Sequence, residues 1–477
     1  MGARGRGQTE LTDRVVTAIV LAAGAGSRFG GGKLIASLGG RPILQYVLDT
    51  LAEGGLDRVV VVLGADAGEV EPAITWRTER RVVNPDPVRG LSSSLQTGMD
   101  AVGPDAEAVL VVLGDQPLVS SATVRAMLKA AADPSKPVIV PAYADDHGRN
   151  PVLLCRAAFG LIRETTGDRG LGPVLAKYPE LVYEIAFPGD NPDVDTQADL
   201  ARAVEASWAA RVRANRAQVE RVREVPDGAD FYAPVRSLFR ADPTRTDDPV
   251  LRALLTLVRS GERWLDVGAG AGRFALPIAR ALDPSGGSVV ALDASPSMLE
   301  GLLEIAEDYA IENVRTIEAR WPPADPSALE ADVSLIAHVG YDVEAIGAFL
   351  EGLEVAARRL CVAVLMDRVP ASAADPFWPL VHGETREALP ALPDFTELLQ
   401  ARGRRPSVTT IAGEPRLFES REALEGFVRR QLWIDPTGAK EAKFQAALDE
   451  LAEADGSGWT IRGRGPADVG VVTWPSR

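Results

Sequence analysis

Two cations and five glycines lie in the stretch "LAAGAGSRFGGGKL", residues 21–34, which follows the apolar run "VVTAIV". Glycines between a strand and a helix expose backbone N–H groups to an anion, and the N-terminus of the helix adds partial positive charge. Arg28 can bind phosphate oxygens through two N–H groups, and Lys33 can act as a point charge. The stretch therefore predicts a phosphate-binding loop, and a surface loop with solvated charges is the alternative.

Two common phosphate-binding patterns do not fit this loop. The P-loop G-x-x-x-x-G-K-[ST] fails because Ser27 occupies the first glycine position and Leu34 follows Lys33. The dinucleotide pattern G-x-G-x-x-G fails because counting from Gly24 places Phe29 at the last position. The loop alone indicates a phosphate group without identifying the molecule that carries it.

Two carboxylates further along the chain are suited to Mg²⁺. Asp115 follows the apolar strand pattern in "VLGDQPLV", where the active edge of an open α/β sheet is expected. Asp195 lies in a turn before a helix in "NPDVDTQADL", where an ordinary turn or cap residue is the alternative. Because Mg²⁺ takes oxygen ligands and often joins carboxylates to a substrate phosphate, the pair predicts a magnesium site.

Small polar residues in "NPDPVRGLSSSLQTGM" precede a helical pattern. The backbone N–H groups after Gly90 and the hydroxyls of Ser92, Ser93 and Ser94 can hydrogen-bond a nucleotide. The alternative is that these residues only cap the helix that follows them.

A second glycine loop lies in "RWLDVGAGAGRFALPIAR", again between a strand and a helix pattern. Asp266 ends the strand, and Arg273 stands where a dinucleotide fingerprint has its third glycine. The next strand, "SVVALDAS", ends in Asp293, which is placed to bind both hydroxyls of a ribose. That acid alone suits NAD equally well.

The composition excludes several classes of protein. The net charge of −16 over 477 residues disfavours a general nucleic-acid-binding role. No stretch reaches the ~18 consecutive apolar residues of a membrane span, and no apolar signal core follows the basic first residues. Cys155 and Cys361 are the only cysteines and the three histidines are scattered, so a disulfide framework or a zinc site is improbable. We expect a cytoplasmic protein that binds neither nucleic acid nor membrane.

Apolar strand patterns alternate with helical patterns in two successive series, which predicts α/β architecture in each half. The strand patterns are "VVTAIVLA", "RVVVVLG", "AVLVVLG" and "PVIVPA", then "RWLDVG", "SVVALD", "NVRTIE", "ADVSLIA" and "RLCVAVLM". We predict two Rossmann-like α/β sandwich domains in tandem, each with a mostly parallel sheet. The expected domains are 14–203 and 204–477, after a disordered tail at 1–13, with a helical insertion at about 370–455 in the second.

The first half resembles the MobA-like nucleotidyltransferases, and within them the molybdenum cofactor cytidylyltransferases. The resemblance rests on the order "LAAGAGSRFG", "GLSSSLQTG", "LGDQP", "GRNPVLL", "GDRGLG" and "DVDT" over about residues 14–203. It implies catalytic roles for Arg28, Lys33 and Asp115, and Mg²⁺ ligation by Asp115 and Asp195. The implied nucleotide-binding residues are Leu21, Ala22, Ala23, Gly24, Gly26, Ser27, Gly90, Ser92 and Ser94. The implied acceptor-binding residues are Asn150, Pro151 and Asp168.

This resemblance implies transfer of a nucleotidyl group from CTP to a molybdopterin-type cofactor, with release of pyrophosphate. CTP is implied because relatives that use GTP commonly have Leu-Ala-Gly-Gly where this chain has Leu-Ala-Ala-Gly. A molybdoenzyme or its maturation factors are the expected partners. Another small phosphate or a sugar phosphate remains the alternative acceptor.

The second half resembles class I S-adenosylmethionine-dependent methyltransferases over about residues 204–477. Besides the second glycine loop, the resemblance rests on "NVRTIEARW" after strand three and on the final "GWTIRGRGPADVGVVTWPS", which predicts a closing antiparallel hairpin. It implies S-adenosylmethionine contacts by Asp266, Gly268, Ala269, Gly270, Gly272, Asp293, Ala294, Glu318, Ala319 and His338. A module that binds S-adenosylmethionine or a partner without turnover is the alternative.

The methyl acceptor is not predicted by these motifs, because the Asn/Asp-Pro-Pro-Tyr tetrapeptide of amino methyltransferases is absent. His338, after strand four, is either a base or a packed side chain. The segment 370–455 exceeds a minimal connection, which predicts a lid or acceptor pocket, with scaffold or a dimer surface as the alternative.

Overall fold

A computed structural model describes residues 14–24, 26–133, 135–144, 148–188, 191–226, 242–456 and 458–476 of the chain. The predicted tail at 1–13 and His147 lie outside these described residues. The chain divides into two compact units, and the boundary falls between Ala203 and Val204.

The first unit is built on strands of Val, Ile and Leu. All seven residues of its first strand are buried, as expected for a strand covered on both faces. The strands are β1 (Val16–Ala22), β2 (Ser37–Leu38), β3 (Arg41–Pro42), β4 (Val59–Leu63), β5 (Arg80–Val83), β6 (Ala108–Leu113), β7 (Val138–Tyr143), β8 (Val152–Cys155) and β9 (Val182–Phe187).

Seven of these strands form one sheet in the order β5-β4-β1-β6-β8-β7-β9. Only β8 runs antiparallel to its neighbours in this sheet. The carboxyl ends of β1, β4 and β6 therefore lie at one edge, where the loop after β1 and the residues after β6 meet.

Helices cover both faces of this sheet. Alternate residues of β1 enter two separate hydrophobic cores, with Ala18 and Val20 in one core and Ile19 and Leu21 in the other. The helices are α1 (Ile43–Glu53), α2 (Ala67–Ala73), α3 (Leu91–Asp100), α4 (Ser121–Ala130), α5 (Gly160–Arg163) and α6 (Gly172–Leu175).

A long charged helix, α7 (Gln197–Val222), spans the boundary between the units. Its part after the boundary is bound within the second unit, because Trp208 Nε1 donates to the carbonyl of Val343 at 3.0 Å and Asn215 Nδ2 donates to that of Glu387 at 2.6 Å.

The second unit also has a seven-stranded sheet, in the order β12-β11-β10-β13-β14-β18-β15. Only β18 runs antiparallel to its neighbours in this sheet, and a separate two-stranded sheet pairs β16 with β17. The strands are β10 (Arg263–Val267), β11 (Ser288–Asp293), β12 (Val314–Glu318), β13 (Ala331–Ala337), β14 (Ala357–Met366), β15 (Ser407–Ile411), β16 (Ala452–Asp455), β17 (Gly458–Ile461) and β18 (Val469–Pro475).

The two sheets confirm the predicted fold class of two α/β units with mostly parallel sheets. The helices of the second unit are α8 (Pro249–Leu255), α9 (Ala275–Leu282), α10 (Pro296–Asp308), α11 (Ile346–Ala356), α12 (Phe377–His382), α13 (Leu392–Ala401), α14 (Arg421–Leu432) and α15 (Glu441–Leu451). No helix among the described residues is both long and apolar enough to cross a membrane.

One expectation for the end of the chain is corrected. The predicted closing hairpin was wrong, because β17 pairs with β16 whereas β18 pairs with β14 and β15. The apolar residues of β18 favour an interior position in the large sheet, and the less buried β17 joins a separate two-stranded sheet. The segment 370–455 contains the helices α12 to α15, and it also contributes β15 to the edge of the large sheet.

Helix α3 packs so closely on the first sheet that it requires glycine at one position. A Cβ atom on Gly98 would lie 2.5 Å from Ile19 Cγ2 and 3.0 Å from Val62 Cγ2. We expect Gly98→Ala to destabilise the first unit by about 1–3 kcal/mol through overpacking, measured by chemical denaturation.

A helical glycine with open space provides the control. Nothing lies within 4 Å of a Cβ atom on Gly68 of α2, so Gly68→Ala is expected to be neutral or to stabilise by up to about 1 kcal/mol. Equal stability changes for the two variants would contradict the close packing of α3.

Candidate active sites

The loop after β1 wraps around the side chain of Lys33. Gly26 has a positive φ of 56°, and a Cβ atom there would lie 3.3 Å from Lys33 Cβ. Lys33 begins a single 3-10 turn, Lys33–Ile35, and its side chain is only 10% exposed. The lysine is thus enclosed by its own loop, whereas the side chain of Arg28 is 77% exposed.

Lys33 joins three distant segments of the first unit. Its Nζ lies 2.5 Å from Asp115 Oδ2 and 3.0 Å from Asp195 Oδ1. Arg28 Nη1 lies 3.1 Å from Asp195 Oδ2. The structure therefore brings together the four residues that were predicted to act on phosphate and metal.

These contacts determine the charge state of Lys33. Burial by itself lowers the pKa of Lys33, but the charges and hydrogen bonds of Asp115 and Asp195 outweigh burial and raise it. The sequence predicted Lys33 as a phosphate ligand, and its direct pairing with both aspartates was not foreseen.

A hydrogen-bonded segment at 191–195 positions the second aspartate. The amide of Val194 donates to the carbonyl of Asp115 at 3.0 Å. Gln116 Nε2 donates to Asp193 Oδ1 at 2.7 Å and to the carbonyl of Asn191 at 3.2 Å. The sequence analysis did not predict the roles of Gln116 and Asp193. Their positions next to the predicted ligands, in "DQ" and "DVD", could have indicated them.

Negative charge accumulates where a divalent cation was predicted. Burial, and then the charge of Asp115, raises the pKa of Asp193 to about 6. Asp115 and Asp195 come from separate segments and offer only oxygen, a donor set that fits Mg²⁺. The described residues contain no group of three or more His, Cys, Asp or Glu side chains that could hold a metal ion.

The second predicted nucleotide segment is bound to a predicted acceptor segment. A Cβ atom on Gly90, whose φ is 86°, would lie 2.7 Å from the carbonyl carbon of Gly167. Ser92 N donates to the carbonyl of Gly167 at 3.0 Å, and Leu91 N donates to Asp168 Oδ1 at 3.2 Å. Asp168 therefore orders the start of α3.

The serines at the start of α3 are buried and interconnected. Asn84 Nδ2 donates to Ser93 Oγ at 2.8 Å and to Ser94 Oγ at 3.0 Å. Ser93 Oγ is within donor distance of the carbonyls of Asp86 and Gly90, and the first turn of α3 has no side-chain cap, so the capping alternative does not describe Ser93. Asn84 was not singled out from the sequence.

The other predicted residues of the first unit differ in what they offer a ligand. The side chains of Leu21, Ala22 and Ala23 are buried in the cores, and Leu21 and Ala22 are paired in the sheet, whereas Gly24 and Ser27 are exposed. In the predicted acceptor segment Pro151 is buried, and the carbonyl of Asn150 accepts a hydrogen bond from Asn191 Nδ2 at 3.3 Å.

The glycine loop of the second unit is held by Asp293. Asp293 Oδ2 accepts a hydrogen bond from Gly270 N at 2.8 Å, and its Oδ1 accepts one from Ser295 N at 2.8 Å. Ala319 N donates to the carbonyl of Asp293 at 3.0 Å, which joins the ends of β11 and β12. The structure thus gathers the predicted loop and ribose-binding residues at one sheet edge, with Ala294 exposed and Glu318 paired with Asp293 in register.

Asp266 lies beneath this loop and is 2% exposed. Its Oδ1 is shielded from solvent and has no hydrogen-bond partner among the described residues. Burial, and then the charge of Asp293, raises the pKa of Asp266 to about 7. Asp266 Oδ1 lacks a hydrogen-bond partner and Asp293 is a second acid nearby, so this position favours a ligand with a positive charge.

His338 directly follows β13, at the same edge of the second sheet as Asp266 and Asp293. It has a positive φ of 58°, and its Nδ1 finds no hydrogen-bond partner within the described part of the chain. Burial, and then the charge of Arg273, lowers the pKa of His338 to about 4, so the imidazole is neutral at pH 7. The next residue, Val339, contacts Gly268, where an added Cβ atom would lie 2.5 Å from Val339 Cγ2.

Comparison with known proteins divides the chain in the same way. Residues 18–182 match the MobA-like NTP transferase domain, and residues 258–357 match a methyltransferase domain. Nicotine blue oxidoreductase of Paenarthrobacter nicotinovorans is 40% identical over 206 residues, which cover 41% of this chain and 98% of that protein. Bifunctional protein GlmU of Albidiferax ferrireducens is 32% identical over 143 residues, and this chain spans only 31% of its length.

Solved structures match each unit separately. Rv0371c of Mycobacterium tuberculosis is 31% identical, with 40% of this chain and 98% of that chain covered and a TM-score of 0.37. YcgJ of Bacillus subtilis is 16% identical, with 48% of this chain and 97% of that chain covered and a TM-score of 0.33. By its family match and its 40% identity over nearly all of one relative, this chain belongs to the MobA-like NTP transferases through its first unit and carries a methyltransferase domain in its second.

Proposed function

We propose that the first unit transfers a cytidylyl group from CTP to a molybdopterin-type cofactor in a Mg²⁺-dependent reaction in the cytoplasm. The observation that carries this proposal is the convergence of Lys33 and Arg28 on Asp115 and Asp195 at the carboxyl edge of the sheet. A molybdoenzyme or its maturation factors would then receive the product.

In this reaction the protein has to position the two substrates and offset the charge of their phosphates. An oxygen of the acceptor phosphate attacks the α-phosphorus of the nucleotide, the bond from that phosphorus to the bridging oxygen breaks, and pyrophosphate leaves. The acceptor is already a nucleophile, so Arg28 and Lys33 act by positioning phosphate oxygens and offsetting their charge. Asp115 and Asp195 would hold Mg²⁺, which when bound neutralises charge on the phosphates.

The choice of CTP as the nucleotide and of a pterin-type acceptor rests on the family resemblance. The Leu-Ala-Ala-Gly sequence in residues 21–24 supports CTP, and the segment around Asn150 and Pro151 supports a pterin-type acceptor through the family resemblance. Another small phosphate or a sugar phosphate is the alternative acceptor, and following pyrophosphate release with each acceptor in turn distinguishes them.

A second candidate for the first unit is oxidoreduction, because the relative named nicotine blue oxidoreductase is 40% identical over 98% of its length. Phe29 stands where a dinucleotide fingerprint has its last glycine, which disfavours a nicotinamide cofactor in the first loop. Oxidation of added NADH or NADPH by a small heteroaromatic compound, without pyrophosphate release from CTP, would favour this candidate.

For the second unit we propose methyl transfer from S-adenosylmethionine. The sulfonium of this molecule is a cation, and Asp266 and Asp293 provide two acids beside the glycine loop. S-adenosylmethionine would supply the methyl group when bound, and the neutral His338 is our candidate for the base that accepts a proton from the acceptor, with a packed side chain as the alternative. A module that only binds the ligand is the alternative, which calorimetric titration followed by a methyl-transfer assay distinguishes.

The carboxylate pair of the first unit provides a direct test. Asp115→Asn removes the charge that Lys33 contacts most closely, so we expect nucleotidyl transfer to fall roughly a hundredfold or more, measured as pyrophosphate release with Mg²⁺ and CTP. Binding of S-adenosylmethionine should be unchanged, because its residues belong to the other unit. Asp100→Asn, at the exposed end of α3, is the control, and near-normal turnover by Asp115→Asn would refute the assignment.

Base preference is tested by competition. We expect CTP to be used in preference to GTP when both nucleotides are present at equal concentration with Mg²⁺ and molybdopterin. The products are separated and counted by chromatography. Equal or reversed use of the two nucleotides would contradict the cytidylyl assignment while leaving nucleotidyl transfer intact.

The buried acid of the second unit predicts a pH-dependent stability. In the unfolded chain Asp266 titrates near 3.8, whereas in the folded unit its pKa is about 7. The folded state therefore holds the extra proton between these values, and stability falls as the pH rises from about 4 through 7. Asp266→Asn should abolish this dependence, so its stability relative to the native protein should increase by a few kcal/mol between pH 5 and pH 8.

This dependence is measured by thermal or denaturant unfolding of the ligand-free protein across that pH range. Glu307→Gln, on an exposed position of α10, is the control and should follow the native pH profile. Parallel profiles for native protein and Asp266→Asn would show that the carboxyl group is not perturbed by burial.

A further inference from the structure

Two neighbouring cavities lie in the second unit, in the region that follows β14. Their volumes are about 310 Å³ and about 90 Å³. Both are lined by Arg368, Val369, Ser372 and Arg464, which form a common wall. None of the motifs recognised in the sequence accounts for these cavities.

Three guanidinium groups around this wall share two carboxylates. Asp375 lies 3.3 Å from Arg386 Nη1 and 3.8 Å from Arg464 Nη2, and Asp367 Oδ1 lies 3.5 Å from Arg368 Nε. Arg464 Nη2 also donates to Ser372 Oγ at 2.6 Å. These five groups, three guanidinium groups and two carboxylates, therefore carry one more positive than negative charge.

The remaining charged lining residues are paired or lie at the rims. Arg211 Nη1 lies 2.5 Å from Asp394 Oδ1, which neutralises that pair. Arg416, Glu414 and Glu387 are exposed. The excess positive charge of the inner groups is thus balanced only by exposed residues.

The inner arginines are poorly solvated. The side chain of Arg386 is 7% exposed and that of Arg464 is 23% exposed. Burial lowers the pKa of Arg386, and burial followed by the charge of Arg368 lowers the pKa of Arg464. Arg368 Nε is shielded from solvent and makes no hydrogen bond to any described residue. An oxyanion in the cavity would supply the missing charge and acceptors.

A chain of contacts links the smaller cavity to the glycine loop of the second unit. Met366, the last residue of β14, lines the smaller cavity, and its N–H donates to Tyr341 Oη at 2.8 Å. Tyr341 belongs to the loop that begins with His338 and Val339, and Val339 contacts Gly268 of the glycine loop. The loop from His338 to Tyr341 therefore contacts both the glycine loop, through Val339, and the lining of the smaller cavity, through Tyr341.

We propose that these cavities bind the methyl acceptor through a carboxylate or phosphate group, held by Arg464 and Arg368 with Arg386 behind them. The acceptor role rests on the proposed methyl transfer, whereas the binding of an oxyanion does not. The acceptor is then a small anionic molecule, and the segment 370–455 contributes Arg386 and Ser372 to its site.

Calorimetric titration of the full chain with inorganic phosphate, and separately with succinate, tests this proposal at constant ionic strength. We expect Arg464→Gln to weaken one binding event roughly ten- to a hundredfold, because a charge-assisted hydrogen bond to an oxyanion is lost. Arg462→Gln is the matched control, since this exposed arginine lies two residues away on the same turn and pairs with Glu453 at 3.5 Å. Any phosphate bound by Arg28 and Lys33 contributes equally to all three proteins.

A second variant keeps the test decisive if Arg464→Gln fails to fold. Arg464→Lys retains the charge but loses the planar fork, so it should bind phosphate more weakly than the native protein and more tightly than Arg464→Gln. Identical isotherms for native protein and Arg464→Gln would overturn the proposal, and so would equal weakening by Arg462→Gln. Failure of the native protein to bind S-adenosylmethionine would instead refute the proposed methyl transfer and leave the oxyanion site standing.

Discussion

The buried ammonium of Lys33 is the interaction on which the first unit's site depends. It joins aspartates that lie 82 and 162 residues further along the chain, so three loops are held at one edge of the sheet. Placing Asp115 and Asp195 together without a cation would be unfavourable, because like charges in a partly buried place repel each other. Lys33 thus allows the carboxylates to be positioned before any ligand arrives, which is the condition for efficient electrostatic catalysis.

The second unit differs from the first in the partners of its acids, because Asp115 and Asp195 of the first unit are paired with Lys33 and Arg28. Asp266 and Asp293 stand beside a glycine loop, and Asp266 has a raised pKa because burial and a neighbouring acid both disfavour its charged form. A polyphosphate would worsen this repulsion, whereas a cationic ligand relieves it. Two similar folds are therefore suited to different ligands by a few charged side chains at the strand ends, consistent with the view that function resides in sites rather than in folds.

Much of this organisation follows from sequence patterns, and the failures have physical causes. Buried runs such as β1 mark the strands, and parallel strands place Asp115 and Asp293 at active edges. The pairing of Lys33 with two acids was missed, because a pattern shows neighbouring residues and not contacts across 162 positions. The error at β17 and β18 has the same origin, since strand partners are chosen by tertiary burial and not by the turn between two strand patterns.

The segment 370–455 packs as part of the second unit. Its aromatic residues Phe377, Trp378, Phe427 and Phe444 form a separate hydrophobic core with the end of α7. The Arg386 guanidinium lies 4.8 Å from the centre of the Trp378 ring, so the core directly supports the cavity wall. A buried arginine is stable only where rigid neighbours hold its few partners in place, because its desolvation must be offset. The apolar core therefore holds Arg386 in place beside Asp375, which lies 3.3 Å from Arg386 Nη1.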